Sequence, residues 1–213
     1  MFIIRELGRQ PYTLIWQQMM DFTLERTEDS VDEIWLLEHE SVYTQGQAGK
    51  EEHILFRNNI PIVQTDRGGQ VTYHGPGQLI AYFLLDCKKN QIGIKQLVSG
   101  IEDLTIDILQ HFDIQAQKKC GAPGVYVSNQ KIASLGLRIK NHCSYHGLAI
   151  NVDMDLTPFK HINPCGFSKL EMTQMKDWAP GITMAQVSQV FTKCLMAYVN
   201  QDCLFNQEAA CKS

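Results

Sequence analysis

The sequence predicts an α/β chain of the α+β type, in which a mixed β-sheet core is flanked by helices. Three observations carry that expectation. Short strand-like runs crowd the middle of the chain, helical periodicity appears before, between and after them, and 213 residues suffice for one domain. A single domain over 1–213 is therefore expected.

FIIREL (2–7) reads as a strand. Pro11 suits the first turn of a helix, and YTLIWQQMMDFTLERT (12–27) carries apolar residues at helical spacing. EIWLLEH (33–39) is a strand, TQGQAGKEE (44–52) a glycine-containing loop, and IPIVQTD (60–66) a further strand. RGGQVTYHGPGQLIAYFLL (67–85) supplies more. In IKQLVSGIEDLTIDILQHF (94–112), Leu97, Ile101, Leu104, Ile108 and Phe112 recur every three or four residues, as on an amphipathic helix. GVYVSNQKIASLGLRI (124–139) looks like a hairpin turning at Ser128, Asn129 and Gln130. SYHGLAINVDMD (144–155) is another strand, and TMAQVSQVFTKCLMAYVN (183–200) closes as a helix. There is no repeat, low-complexity tract or linker.

Hydrophobic residues make up 44% and charged residues 20%, an ordinary globular balance. A net charge of −4 does not favour nucleic acid as a partner. Arg5 and Glu6 interrupt the opening apolar residues at once, so no secretory segment is read. The longest apolar run, LIAYFLL (79–85), is far short of the ~20 residues a membrane helix needs. A cytoplasmic protein with no membrane partner is expected. The seven cysteines, Cys87, Cys120, Cys143, Cys165, Cys194, Cys203 and Cys211, are odd in number and include no C-x-x-C pair. They read as reduced thiols, most of them filling the core.

RGGQVTYHGPGQ weakens its own strands with Gly68, Gly69, Gly75 and Gly77. A glycine lets another group approach the backbone and reach its N–H, and Arg67, Tyr73 and His74 surround the opening so made. The same residues equally suit two hairpin turns with a structural histidine. INPCGF (162–167) is more pointed, because Cys165 sits between Pro164, which fixes φ, and Gly166, which permits a sharp reversal. Such a frame would hold the thiol out from the fold. Only the thiolate attacks, and a free thiol with a pKa of about 8.5 is about 3% ionised at pH 7. A nearby cation is needed, and an ammonium ~4 Å away at an effective dielectric of ~20 supplies up to ~4 kcal/mol before desolvation. Lys131, heading KIASLGLRI, is a candidate once the chain folds.

RGGQVTYHGPGQL, GVYV…KIASLGLRI, HGLAINV and FKHINPCG, in this order and spacing, closely resemble the octanoyltransferase family of lipoate biosynthesis. That family belongs to the biotin/lipoate protein ligase superfamily. The resemblance runs from about Leu7 to Met172 with no departure at a motif position, and TQGQAG and EIWLLEH share it. It implies one catalytic domain of the biotin/lipoate protein ligase type, needing no cofactor and no metal. It further implies that Cys165 is the acyl-accepting nucleophile and Lys131 its activator. Three segments would line the acyl site: Arg67, Gly68, Gly69, Gln70, Val71, Thr72, Tyr73 and His74; then Ser134, Leu135 and Gly136; then Gly147, Leu148 and Ala149. The implied partners are octanoyl-acyl carrier protein and the lipoyl domains of 2-oxoacid dehydrogenase complexes and the glycine cleavage H protein. The implied reaction moves an octanoyl or lipoyl group from carrier thioester to lysine without ATP.

Strand alternation in HGLAINV places Leu148, Ile150 and Val152 on one face and Gly147 and Ala149 on the other. The small pair would leave an apolar slot, or pack under a helix. Backbone N–H groups of HGLA are a candidate oxyanion hole. Two other functions remain open at this point: an ATP-dependent lipoate or biotin ligase, which needs no cysteine, and a non-catalytic acyl- or metal-binding module using His142, Cys143 and His146. Lys118, Lys119, Arg138 and Lys140 are candidates for a basic rim facing an acidic carrier.

Overall fold

Pro11 cannot donate to a sheet ladder, and it ends the first strand as the first helix begins. A computed structural model describes residues 2–167 and 170–200. Its elements are β1 (Phe2–Gln10), α1 (Tyr12–Leu24), β2 (Asp32–His39), β3 (Val42–Gln45), β4 (Ile62–Gln64), β5 (Val71–His74) and β6 (Gln78–Leu84). There follow α2 (Ile94–Gln110), β7 (Gln117–Lys118), β8 (Val125–Val127), β9 (Gln130–Lys140), β10 (Cys143–Asn151) and α3 (Met184–Asn200). Short 3-10 turns lie at Glu51–His53, Thr157–His161, Pro164–Gly166 and Met175–Asp177.

A seven-stranded sheet runs in the order β1-β2-β6-β10-β9-β8-β7. Only β1 and β2 pair parallel in it; the rest is antiparallel, so the sheet is mixed as expected. β3, β4 and β5 form a separate three-stranded sheet. The sequence signalled strands there without indicating that they leave the main sheet. Thr44 and Gln45, expected in a loop, are the end of β3.

The expected amphipathic helix is α2, whose Leu97, Ile101, Leu104 and Ile108 are wholly buried. Each such side chain contributes about 1.5–3 kcal/mol. They pack with α3 on one sheet face, against Leu148, Ile150 and Val152. On the opposite face Ile15 and Met19 of α1 pack against Trp35, Ile80, Tyr82 and Ala149. The hairpin between β8 and β9 turns at Ser128 and Asn129, both at positive φ (45° and 71°), as the right-handed twist of paired strands requires. Gly77 joins β5 to β6 at φ +84°, where a Cβ would lie 1.8 Å from the Asp153 carbonyl. Cys87, Cys143 and Cys194 are buried, whereas Cys203 and Cys211 lie outside the described residues.

Candidate active site

The segment that follows Cys165 is laid along the start of β9. Lys131 N–H donates to Glu171 O at 2.8 Å, and Thr173 N–H donates to Lys131 O at 3.0 Å. This short parallel bridge brings together two residues 34 positions apart, leaving Lys131 Nζ 3.2 Å from Cys165 Sγ. Pro164 and Gly166 frame the cysteine in a single 3-10 turn, with Gly166 N–H closing on Asn163 O at 3.0 Å. Cys165 itself adopts φ +57°, a left-handed conformation costing roughly 1–2 kcal/mol outside glycine. Its thiol is half-buried, whereas Lys131 is 2% exposed, enclosed by Gly124 and by the Tyr126 ring 5.5 Å from Nζ.

The glycines of the 67–77 stretch now have distinct uses. β8 pairs with β9 only as far as Ala133, and among the described residues no strand covers that side of β9 beyond it. Gly68 closes the gap, donating its N–H to Leu137 O at 2.9 Å. Gly136 lies beneath: a Cβ there would press on Gly68 O and the Arg67 side chain at 3.2 and 3.4 Å. Arg67 is buried and donates to Thr44 and to the carbonyls of Gly68 and Gln70. Burial lowers its proton affinity.

These elements enclose a cavity of about 440 Å³. Lys131 and Cys165 line it, as do Arg67, Gly68, Gly69, Gln70, Thr72, His74, Ser134, Leu135, Gly136, Gly147, Leu148 and Ala149. Val71 and Tyr73 do not. Alternation along β5 turns them into the core of the small sheet, beside Tyr43 and Phe159, so of the eight residues expected to line the site these two lie away from the cavity. Gly147 makes room for a neighbouring strand, since a Cβ there would meet the Ala81 carbonyl at 2.2 Å.

Tyr12, Ile80 and Tyr82 also line the cavity, as do Ile94 and Val98 of α2, the Gly121–Pro123 loop, Leu137, His146 and Phe167. Their place at the cavity has no local sequence signal, because each is brought there by tertiary folding. Several belong to a buried polar floor. His39 Nδ1 donates to Gln10 O at 2.9 Å, so its Nε2 accepts from the Tyr82 hydroxyl at 2.7 Å. Burial pushes His39 down to about 4 and Tyr12 up to about 12. His74 donates from Nδ1 to Gln78 Oε1 at 2.8 Å and accepts from Thr44 Oγ1 at 3.2 Å. Burial and the neighbouring His39 hold it well below the usual imidazole range. This wiring makes His74 a neutral structural link.

Asp66 accepts from His146 Nε2 at 3.1 Å, from Trp16 Nε1 at 2.9 Å and from the Tyr145 hydroxyl. Burial works to raise this carboxyl, but the hydrogen bonds from His146, Tyr145 and Trp16 hold it far below the usual carboxylate range.

Two sequence expectations change. Of the candidate oxyanion-hole segment HGLA, Gly147, Leu148 and Ala149 pair with β6 on one side and β9 on the other, which draws their amides into those ladders, whereas His146 pairs with β9 alone. His142, Cys143 and His146 do not converge: Cys143 Sγ turns to Asn141 O at 3.5 Å while His146 faces Asp66. Among the described residues no group of three His, Cys, Asp or Glu side chains could hold a metal ion. Of the basic-rim candidates, Lys118 is tied to Asp103 at 2.7 Å and Lys119 lies over the Tyr126 ring.

Residues 14–196 match the family model of the lipoyl protein ligase A/B catalytic domain. The chain belongs to that family. Within the family it is similar to the octanoyltransferase of Legionella pneumophila (strain Lens), 59% identical over 191 residues covering 90% of this chain and 96% of the relative. It is 52% identical to the octanoyltransferase of Vibrio cholerae El Tor over 200 residues, covering 94% of this chain and 92% of the relative. Its fold is that of a lipoate-protein ligase A solved with ATP, at TM-score 0.76 and 12% identity, covering 93% and 85% of the two chains. It likewise matches a bipartite lipoate protein ligase from Thermoplasma acidophilum, at TM-score 0.73 and 12% identity, covering 93% and 83%.

Proposed function

We propose that this family member is an octanoyltransferase that moves an octanoyl or lipoyl group from acyl carrier protein to a lysine of a lipoyl domain, through an acyl-Cys165 thioester. The observation that carries the reading is the 3.2 Å approach of Lys131 Nζ to Cys165 Sγ at the wall of an apolar cavity. The names of its relatives agree with it. Residues 1–213 act as one catalytic domain in this reading.

In the first half-reaction the Cys165 thiolate, paired with the Lys131 ammonium, attacks the carrier thioester. The new C–S bond forms as the old one breaks, and the carrier sulfur leaves with the proton of Lys131. In the second, the neutral ε-amine of the acceptor lysine attacks the acyl-Cys165 carbonyl. Its proton passes to Lys131, the C–S bond opens, and thiolate and ammonium are restored. One thioester replaces another almost isoenergetically and the amide lies downhill, so no nucleotide and no cofactor enters. Six methylenes of the acyl chain buried in the cavity contribute on the order of 5 kcal/mol. The acceptors are lipoyl domains of 2-oxoacid dehydrogenase complexes and the glycine cleavage H protein. No helix among the described residues is long and apolar enough to cross a membrane, and the reading is of a cytoplasmic enzyme.

The ATP-dependent ligases that share this fold form an acyl-adenylate, a chemistry in which Cys165 would have no role. Incubation with octanoyl-acyl carrier protein, without nucleotide, tests the difference. An octanoyl adduct on Cys165, seen by mass spectrometry and absent in Cys165→Ser, is expected. Lys131→Met should slow both half-reactions by at least about 100-fold. Strict dependence on ATP, or full activity in Cys165→Ser, would overturn the reading.

A further inference from the structure

Glu102 sits on the buried face of α2, 7% exposed, beside Ile101, Leu104 and Thr105. A carboxylate on such a face is costly unless something there requires it. Its Oε1 accepts the Gly124 N–H at 2.8 Å. Gly124, at φ +135°, lies directly on Lys131: a Cβ there would be 2.3 Å from Cε and 3.0 Å from Nζ. One residue thus bridges the carboxylate and the lysine of the reactive pair. Burial pushes the Glu102 carboxyl up, while the Gly124 amide, Lys118 and Lys131 draw it down and Asp103 adds to the rise. Lys118 is shared with Asp103 at 2.7 Å, and Tyr126 also faces Glu102.

We infer that Glu102 is a positioning residue for the second half-reaction, holding Gly124 against Lys131 and stabilising the positive charge that arrives on Lys131 with the acceptor's proton. The inference rests on the acyl-Cys165 reading above. In the free enzyme the Cys165 thiolate balances the Lys131 ammonium. Once Cys165 carries the acyl group its sulfur is a neutral thioester, and Glu102 is a carboxylate that stays. As the acceptor nitrogen bonds to carbon, its proton moves to Lys131 and the sulfur departs as thiolate; the growing ammonium is then opposed by Glu102. In the first half-reaction Lys131 gives its proton away, so the carboxylate does not assist that step and holds the proton back.

Glu102→Gln keeps an acceptor oxygen for Gly124 and removes the charge. Single-turnover acylation of Cys165 by octanoyl-acyl carrier protein, and transfer from isolated octanoyl-enzyme to a lipoyl domain, are measured separately. Transfer is expected to fall about tenfold in the glutamine variant, with acylation not slowed and the KM for the lipoyl domain unchanged. Glu102→Asp, which keeps the charge one methylene further off, should show the same selectivity at about threefold. Equal slowing of both steps, or transfer at the unaltered rate, overturns the inference. If the glutamine variant does not fold, the ratio in the aspartate variant decides by the same criterion. Failure of the acyl-Cys165 reading is distinguishable, because the unmodified enzyme would then form no octanoyl adduct at all.

Discussion

Arg67 grips Thr44 at two atoms. Nε and Nη2 both donate to Oγ1, at 3.0 and 2.9 Å, and Nη2 also donates to the Thr44 carbonyl at 2.6 Å. The threonine hydroxyl, so held, is left to donate to His74 Nε2. Further bonds to the carbonyls of Gly68 and Gln70 make this one cation the joint between β3 and the glycine loop.

Replacing Arg67 with lysine should therefore be far from conservative. An ammonium lacks the planar fork, so buried carbonyls lose donors. Arg67→Lys should lower the unfolding free energy by about 2–4 kcal/mol in a urea titration, with acylation of Cys165 slowed in the folded fraction. An unchanged unfolding midpoint would mean that the joint is not needed.

Acid should weaken the fold before the carboxylates titrate. His39 is held at about 4 in the folded chain against an ordinary value of 6.5, and burial is the cause. Between those values the unfolded chain binds more protons. The stability it represents is full above pH 6.5 and lost as pH falls towards 4, about 3 kcal/mol from this residue. His74 and His146 shift in the same direction. Unfolding free energies measured at pH 7, 6 and 5 should decline steadily, and His39→Asn should flatten the slope; an identical slope in the variant would refute the assignment.

Ala149 lines the cavity and is 5% exposed, so extra carbon at that position takes up space that the proposed function gives to the acyl chain. Ala149→Val should lower the kcat/KM for octanoyl-acyl carrier protein about tenfold, near the worth of two buried methylenes, and spare the hexanoyl donor. A parallel loss on both donors would place the tail elsewhere.

Much of this was legible before folding. Leu97, Ile101, Leu104 and Ile108 announce α2 because burial on a helix imposes their spacing. Pro164 and Gly166 announce the turn at Cys165 because only such neighbours make a reversal cheap. Lys131 was visible as a residue but not as an environment. A lysine at a hairpin is ordinarily solvated, and its burial follows from the Glu171–Thr173 segment docking beside it, a long-range event with no local pattern. The separation of β3, β4 and β5 was hidden for the same reason, since strand pairing is decided by partners and not by the strand's own residues. Glu102 was not singled out in the sequence, and only its hydrogen bond from Gly124 in the folded chain draws attention to it. Residue alternation in HGLAINV was legible too, with Leu148, Ile150 and Val152 in one core cluster and Ala149 in the other.

The hydrogen bond from Gly68 to Leu137 bears on how copies of the enzyme behave together. From Ser134 to Lys140 the outer margin of β9 has no strand partner among the described residues, and a bare margin of that kind invites zipper-like association with another chain. A loop laid across its midpoint obstructs that growth, so the stretch that walls the cavity also guards the sheet edge.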